Sequence, residues 1–357
     1  MSISSQLLAR IEELQLGEVN IMEVCGTHTM SIAKSGIKQM LPKNVHLLSG
    51  PGCPVCVTPD AVMDEILRLS EKPDMIITTY GDMIRVPGST RGDNLAGRKA
   101  RGAKVEIVFS PVDAVDLAAA NPDKQVVFLG AGFETTAPGT AATIAVAEAR
   151  GVENFTILSM LKTVEPALRA LIADPEFNVQ GFLCPGHVGT IIGAKAFEFL
   201  ASEYHIPGVV AGFEPEDILL SVYMLLKQIR DGRAAIENEY KRAVAYEGNV
   251  TAQEMMNKYL CPVDDLWRGL GAIPMSGLGI RPEYEKYDAI KRFDLHFTEG
   301  NKLPGCRCGD VICGKISPDK CPLFGKVCLP EDPVGPCMVS SEGACAAAYK
   351  YGNFEEE

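Results

Sequence analysis

Seven cysteines crowd into the last part of the chain: Cys306, Cys308, Cys313, Cys321, Cys328, Cys337 and Cys345, within GCRCGDVICGKISPDKCPLFGKVCLPEDPVGPCMVSSEGACAAAY. A segment so rich in Gly and Pro, with little apolar periodicity, cannot build an ordinary core and needs a cross-link, which a metal would supply. Zinc favours close Cys-x2-Cys pairs. The last four cysteines are instead separated by six, eight and seven residues. Wide spacing suits a four-iron cluster, where each thiolate takes one corner and backbone loops wrap around the cube. Cys321, Cys328, Cys337 and Cys345 are therefore the expected ligands of a [4Fe-4S] cluster, with a zinc-stapled tail as the alternative that spacing leaves open. Cys306, Cys308 and Cys313 are further thiols beside it, without an assigned role.

Two more cysteine sites lie near the start. In SGPGCPVCVTP, Cys53 and Cys56 form a Cys-x2-Cys pair before an expected helix. The positive end of a helix dipole favours thiolate, which suits disulfide exchange or metal capture; half of a zinc site is the alternative. In MEVCGTHTMSIAK, Cys25 ends a strand-like run, Gly26 permits a turn, and Thr27 and His28 lead into a helix. The imidazole three residues from the thiol is a candidate ligand, proton acceptor or plain hydrogen-bond partner. Three further strand-to-helix loops, YGDMIRVPGS, LGAGFETTAPGT and CPGHVGTIIG, place Asp82, Arg85, Glu134, Thr135, Thr136 and His187 as possible pocket residues. Ligands of open α/β sheets collect at the carboxyl ends of strands. GAGFETT does not have the G-x-G-x-x-G spacing of a dinucleotide fingerprint.

The elements that must position these groups are legible as a repeating pattern. Short apolar runs (VNIMEV, VHLLSG, MIITTY, VEIVFS, VVFLGA, FTILSM, GFLC and GVVAGF) alternate with amphipathic stretches such as TPDAVMDEILRLSE, PVDAVDLAAAN, TAATIAVAEAR, AKAFEFLASEY and PEDILLSVYMLLKQIRDG. Alternation of this kind predicts parallel sheets with crossover helices. Eight strands exceed one average sheet, and the tetrapeptide AGFE occurs at Ala131 to Glu134 and again at Ala211 to Glu214. The reading is α/β: two related parallel-sheet α/β domains, over residues 1–130 and 131–255, plus a small irregular C-terminal iron-sulfur domain preceded by a connector, over 256–357.

A net charge of −12 and the absence of a basic stripe argue against a nucleic-acid surface. No stretch of eighteen apolar residues predicts a membrane span, and MSISSQLLARIEELQLGEVN does not read as a secretory signal. Twelve cysteines must then be explained in a reducing, cytoplasmic compartment, where metal or redox work is the leading account. The isolated Cys184 and Cys261 read as small buried hydrophobes.

Taken together, MEVCGTHT, SGPGCPVCVTP, GFETTAP, PGHV, AGFEP, CPLFGKVC and CMVSSEGACAAAY resemble the HypD family of hydrogenase maturation proteins, in that family's order over nearly the whole chain. The resemblance implies a scaffold, with redox activity, on which the iron group of nickel-iron hydrogenases is assembled, one iron carrying two cyanides and one carbon monoxide. It implies a HypC-type chaperone that shares the iron and a HypE-type partner that delivers cyanide. Cys25 carries over as the iron-holding thiolate with Thr27 and His28 beside it, and Cys53 with Cys56 as a thiol pair that passes electrons. Cys321, Cys328, Cys337 and Cys345 carry over as the cluster positions. The rival class is a thiol-disulfide oxidoreductase resembling ferredoxin-dependent thioredoxin reductase, using the same residues.

Overall fold

The computed structural model describes residues 2–297 and 305–352. All eight expected strands form: β1 (Val19–Glu23), β2 (Val45–Ser49), β3 (Met75–Thr79), β4 (Lys104–Ile107), β5 (Gln125–Gly132), β6 (Phe155–Leu161), β7 (Gly181–Pro185) and β8 (Gly208–Ala211). A short β9 (Ile236–Asn238) and a hairpin of β10 (Leu260–Trp267) with β11 (Gly271–Ile280) follow. The central strands are buried on both faces, as in β5, where Val126, Val127, Phe128 and Leu129 have no exposed surface. That is why they read as continuous apolar runs and not as alternations.

The strands sort into two parallel sheets, in the orders β2-β1-β7-β8-β9 and β4-β3-β5-β6. Val19 pairs with Val45 and Ile21 with Gly181 in the first; Ile76 pairs with Lys104 and with Val126 in the second. The expected division at residue 130 is therefore wrong. It cuts through β5, and the first sheet is built from both ends of the α/β region, with the second sheet inserted whole between β2 and β7. Apolar runs specify that a strand is buried, but not which strand lies beside it. Each sheet lays its second strand on one side of its first and continues on the other, so the first four strands of both share the order 2-1-3-4. AGFE is no marker of that kinship: the first copy follows the third strand of its sheet and the second follows the fourth. Their glutamates also differ, Glu134 being buried and Glu214 capping the helix Pro215–Arg230.

Helices close the crossovers with the expected apolar spacing. Helix Val164–Ile172 buries Val164, Ala167, Leu168 and Leu171, and helix Pro215–Arg230 buries Ile218, Leu219, Val222, Leu225 and Leu226 behind a capping box of Glu214 and Asp217.

The expected connector is the β10-β11 hairpin. Its Gly and Pro residues read as loop punctuation, yet Gly277 and Gly279 sit where a side chain would strike Asp265 and Val263 of the paired strand. The hairpin docks on β6 through Thr163 N–H to the Ser276 carbonyl at 2.9 Å and through buried Lys162, which pairs with Asp265 and donates to the Leu266 carbonyl at 2.8 Å. Beyond it, the described residues of a smaller C-terminal region form short helices, among them Ala289–Phe293, Cys308–Ile312, Pro336–Val339 and Ala344–Tyr351. Parts of the expected 256–357 domain, residues 298–304 and 353–357, lie outside the described residues.

Candidate metal and thiol site

Cys25 stands one residue past Val24 at the carboxyl end of β1, at the switch between the first and third strands of the first sheet. Its extended backbone makes it the N-cap of helix Gly26–Lys34, so the Thr27 and His28 amides point toward its sulfur. Burial nevertheless dominates. It pushes the thiol up to about 12, with those amides pulling down and the Glu342 and Glu23 carboxylates adding to the rise. Beneath it, buried Glu23 accepts the Cys25 N–H at 3.0 Å and the Thr29 hydroxyl at 2.5 Å, and desolvation raises its carboxyl to about 7. Gly52 lies against the Cys25 backbone: a Cβ there would fall 2.2 Å from the Cys25 nitrogen, and the Gly26 N–H donates to the Gly52 carbonyl at 3.1 Å.

The thiol opens on a cavity of about 340 Å³ between the carboxyl ends of the two sheets. Cys25, Thr27, His187 and Glu342 line it from one side, and Gly132, Phe133, Thr135 and Thr136 from the other. Three of the six expected pocket residues, Thr135, Thr136 and His187, are thus placed there. Glu134 is not. It is buried behind the wall, with one oxygen accepting the Val164 N–H at 2.8 Å and the other without a hydrogen-bond partner, and desolvation raises it to about 7.

His28 also turns away from the cavity. It is fully buried, its Nε2 hydrogen-bonds the Gly212 carbonyl at 2.9 Å, and burial lowers it to about 4. Phe213 is stacked between its ring, at 4.7 Å, and that of His187, at 3.9 Å. Spacing along the chain set His28 near Cys25, but the Gly212 carbonyl and the Phe213 ring hold its imidazole inside the protein. Asp82 and Arg85 hold the tail instead of lining the cleft: Asp82 accepts the Ser340 hydroxyl at 2.9 Å, and Arg85 donates to the Pro330 carbonyl.

Glu342 was not read from the sequence. It belongs to the turn between Cys337 and Cys345, and its carboxylate accepts the Thr27 hydroxyl at 2.7 Å beside Gly26, where any Cβ would lie 2.6 Å from the Glu342 Cβ. The only available signal was an acidic residue between two expected ligands.

The tail brings six thiols to one cavity: Cys306, Cys308, Cys321, Cys328, Cys337 and Cys345, over a floor of Leu323, Phe324 and Met338. Cys313 lies apart, its sulfur facing the Gly269 carbonyl at 3.9 Å. Among the described residues no three His, Cys, Asp or Glu side chains are arranged to hold a single metal ion. A soft, all-sulfur donor set around an apolar floor fits a polynuclear iron-sulfur group, whose thiolates occupy separate corners.

Cys53 caps the helical turn Pro54–Val57 and accepts the Cys56 N–H at 3.3 Å, with the two sulfurs 2.7 Å apart. Contact continues from Cys56 to Cys337, from Cys337 to Cys308 and Cys345, and from Cys308 to Cys306. A row of thiols therefore joins the pair to the cage. The expected helix-dipole effect does not govern Cys56, whose thiol burial pushes well up; the helix is a single turn and the residue is 1% exposed. Cys184 is buried in β7 as expected, and Cys261 is half-buried in β10.

A family model described as the hydrogenase formation hypA family, HypD, matches residues 2–352. The chain is 46% identical over 340 residues to the hydrogenase maturation factor HypD of Escherichia coli K12, covering 95% of this chain and 91% of that one. It is 45% identical over 342 residues to HypD2 of Bradyrhizobium diazoefficiens, covering 94% and 90%. It is 45% identical over 363 residues to HypD of Rhodobacter capsulatus, covering 98% and 96%. Among the described residues no helix is long and apolar enough to cross a membrane.

Proposed function

The chain belongs to the HypD family of hydrogenase formation proteins, and on that premise we propose that it is a cytoplasmic scaffold for building the Fe(CN)2CO group of a nickel-iron hydrogenase. The iron is cargo, shared with a HypC-type chaperone and supplied with cyanide by a HypE-type partner. The observation that carries this reading is a single buried thiol, Cys25, opening on a cavity with a row of thiols running from its neighbour loop to a six-cysteine cage.

The parts have separable tasks. Cys25 offers the cargo a soft donor, and the cavity walls exclude bulk water from it. Thr27 and Glu342 close one side, and Glu23 fixes the Cys25 amide from below. A [4Fe-4S] cluster, when bound in the cage, would store and deliver electrons singly. Cys321, Cys328 and Cys345 are proposed to hold it, as the spacing suggested. For the fourth position the contacts favour Cys306 over Cys337, because Cys337 touches both Cys56 and Cys308 and so occupies the link in the row. Cys53, Cys56, Cys308 and Cys337 are then the thiols left free for exchange.

Infrared spectra of the protein purified without oxygen together with its HypC-type partner test the cargo assignment. Cyanide and carbon monoxide bands are expected, and Cys25→Ala should abolish them while the brown colour persists; bands that survive the substitution overturn the role. The alternative, a thiol-disulfide oxidoreductase acting on a protein substrate, uses the same row. It predicts turnover of a protein disulfide without bound cyanide. Burial of Cys53 and Cys56 disfavours it, since a protein disulfide must reach the attacking sulfur.

A further inference from the structure

Arg268, at the turn of the β10-β11 hairpin, is the one residue of that hairpin that reaches the thiol pair's loop with both its backbone and its side chain among the bonds described. Its N–H donates to the Val57 carbonyl at 2.9 Å, its Nε to the Thr58 carbonyl at 3.1 Å and its Nη2 to Asp60 Oδ1 at 2.6 Å. Both charged side chains are almost wholly buried, at 11% and 8% exposure. These three acceptors span the end of the turn that carries Cys53 and Cys56 and the start of the next helix. On its other side the same turn meets the cage. Gly269 and Gly309 pack so closely that a Cβ on Gly269 would lie 2.6 Å from Gly309, the residue after Cys308, and the Cys313 sulfur faces the Gly269 carbonyl.

The hairpin turn is therefore a wedge with the thiol pair on one face and the cage on the other. We propose that Arg268 is a positioning residue for thiol exchange, clamping the Cys53–Cys56 turn against the cage so that the Cys56 and Cys337 sulfurs stay in contact. The inference rests on the thiol row as the working path of the proposed function. A planar guanidinium holds a carbonyl and a carboxylate at once in one fixed fork, which an ammonium does not. The Asp60 partner keeps the buried charge compensated, so the pair persists in a place where a lone cation would be expelled.

The test uses the cluster-loaded full chain with Cys53→Ser and Cys308→Ser, which leaves Cys56 and Cys337 without their exchange partners. Mild oxidation with diamide should join Cys56 to Cys337, read as the cross-linked peptide by mass spectrometry. Adding Arg268→Lys, or the apolar pair Arg268→Met with Asp60→Leu, should slow that cross-link about tenfold or more, since sub-ångström misplacement of reacting atoms is costly. Melting curves show whether each variant is folded; the lysine variant, which keeps a cation opposite Asp60, carries the test if the apolar pair does not fold. Cross-linking at the parental rate in a folded variant overturns the clamp. If the parent itself forms no Cys56–Cys337 bond, the thiol row fails as a path, a result distinct from failure of the clamp alone.

Discussion

Iron-bound thiolates have their sulfur committed to the metal, so the neighbours of Cys306 and Cys337 bear on which of them would hold the proposed cluster. Cys337 is 1% exposed and meets Cys56, Cys308 and Cys345, whereas Cys306 is half-buried at the cage rim beside Cys308. Cys306→Ser should therefore lose most of the bound iron and the brown absorbance, and Cys337→Ser should keep both; iron analysis giving the reverse pattern would restore the ligand set expected from spacing. Glu134 supports a second test at this scale. Its folded carboxyl is raised to about 7 by burial, above its ordinary 4.5, so the folded chain holds that proton more tightly than the unfolded one. The stability this gives is present below pH 4.5 and is lost as pH rises through 7. Glu134→Gln keeps the acceptor for Val164 and removes the ionisation. It should be more stable than the parent at pH 8, by roughly 1–3 kcal/mol, with the gap closing toward pH 5 in denaturant titrations.

At the scale of elements, the loops after β1 and β2 are held together by the absence of a side chain. Gly52 presses on the Cys25 backbone, and no rotamer can relieve a Cβ placed 2.2 Å from a backbone nitrogen. Gly52→Ala should destabilise the protein by about 1–3 kcal/mol and move the Cys53 turn relative to Cys25. A shift in the urea midpoint, together with changed alkylation of Cys25, checks it; an unchanged midpoint would mean that the loops are less tightly apposed. The β10-β11 hairpin makes a similar point for strands. Its glycines face Asp265 and Val263 across the pair, so residues that read as loop punctuation are what lets two strands approach and then dock on β6.

Across the whole molecule, the tail is tied to both sheets. Helix Ala344–Tyr351 packs on helix Gly26–Lys34, Glu342 accepts from Thr27, Ser340 donates to Asp82, and Arg91 pairs with Asp332 at 2.6 Å. A cluster that folds the tail would thereby also order the cavity at Cys25, because metal binding free energy is spent on the structure that depends on it. Removing iron with a chelator should raise amide exchange in residues 337–351 and also in residues 25–34, while β5 and β6 stay protected. Exchange confined to the tail would show that the cavity stands without it.

Much of this architecture was present in the residues themselves. Burial on both faces forced the central α/β strands into continuous apolar runs, and thiols at strand ends and in a proline-punctuated tail announced sulfur chemistry. Proximity was another matter. That β1 pairs with β7, that Cys337 faces Cys56 and that Glu342 reaches Thr27 are contacts across 160 to 315 positions. The entropy of closing a loop grows only with the logarithm of its length, so separation along the chain says little about which distant groups meet. Packing of the two sheets and the tail decided those meetings, and with them which thiols line a cavity and which link a row.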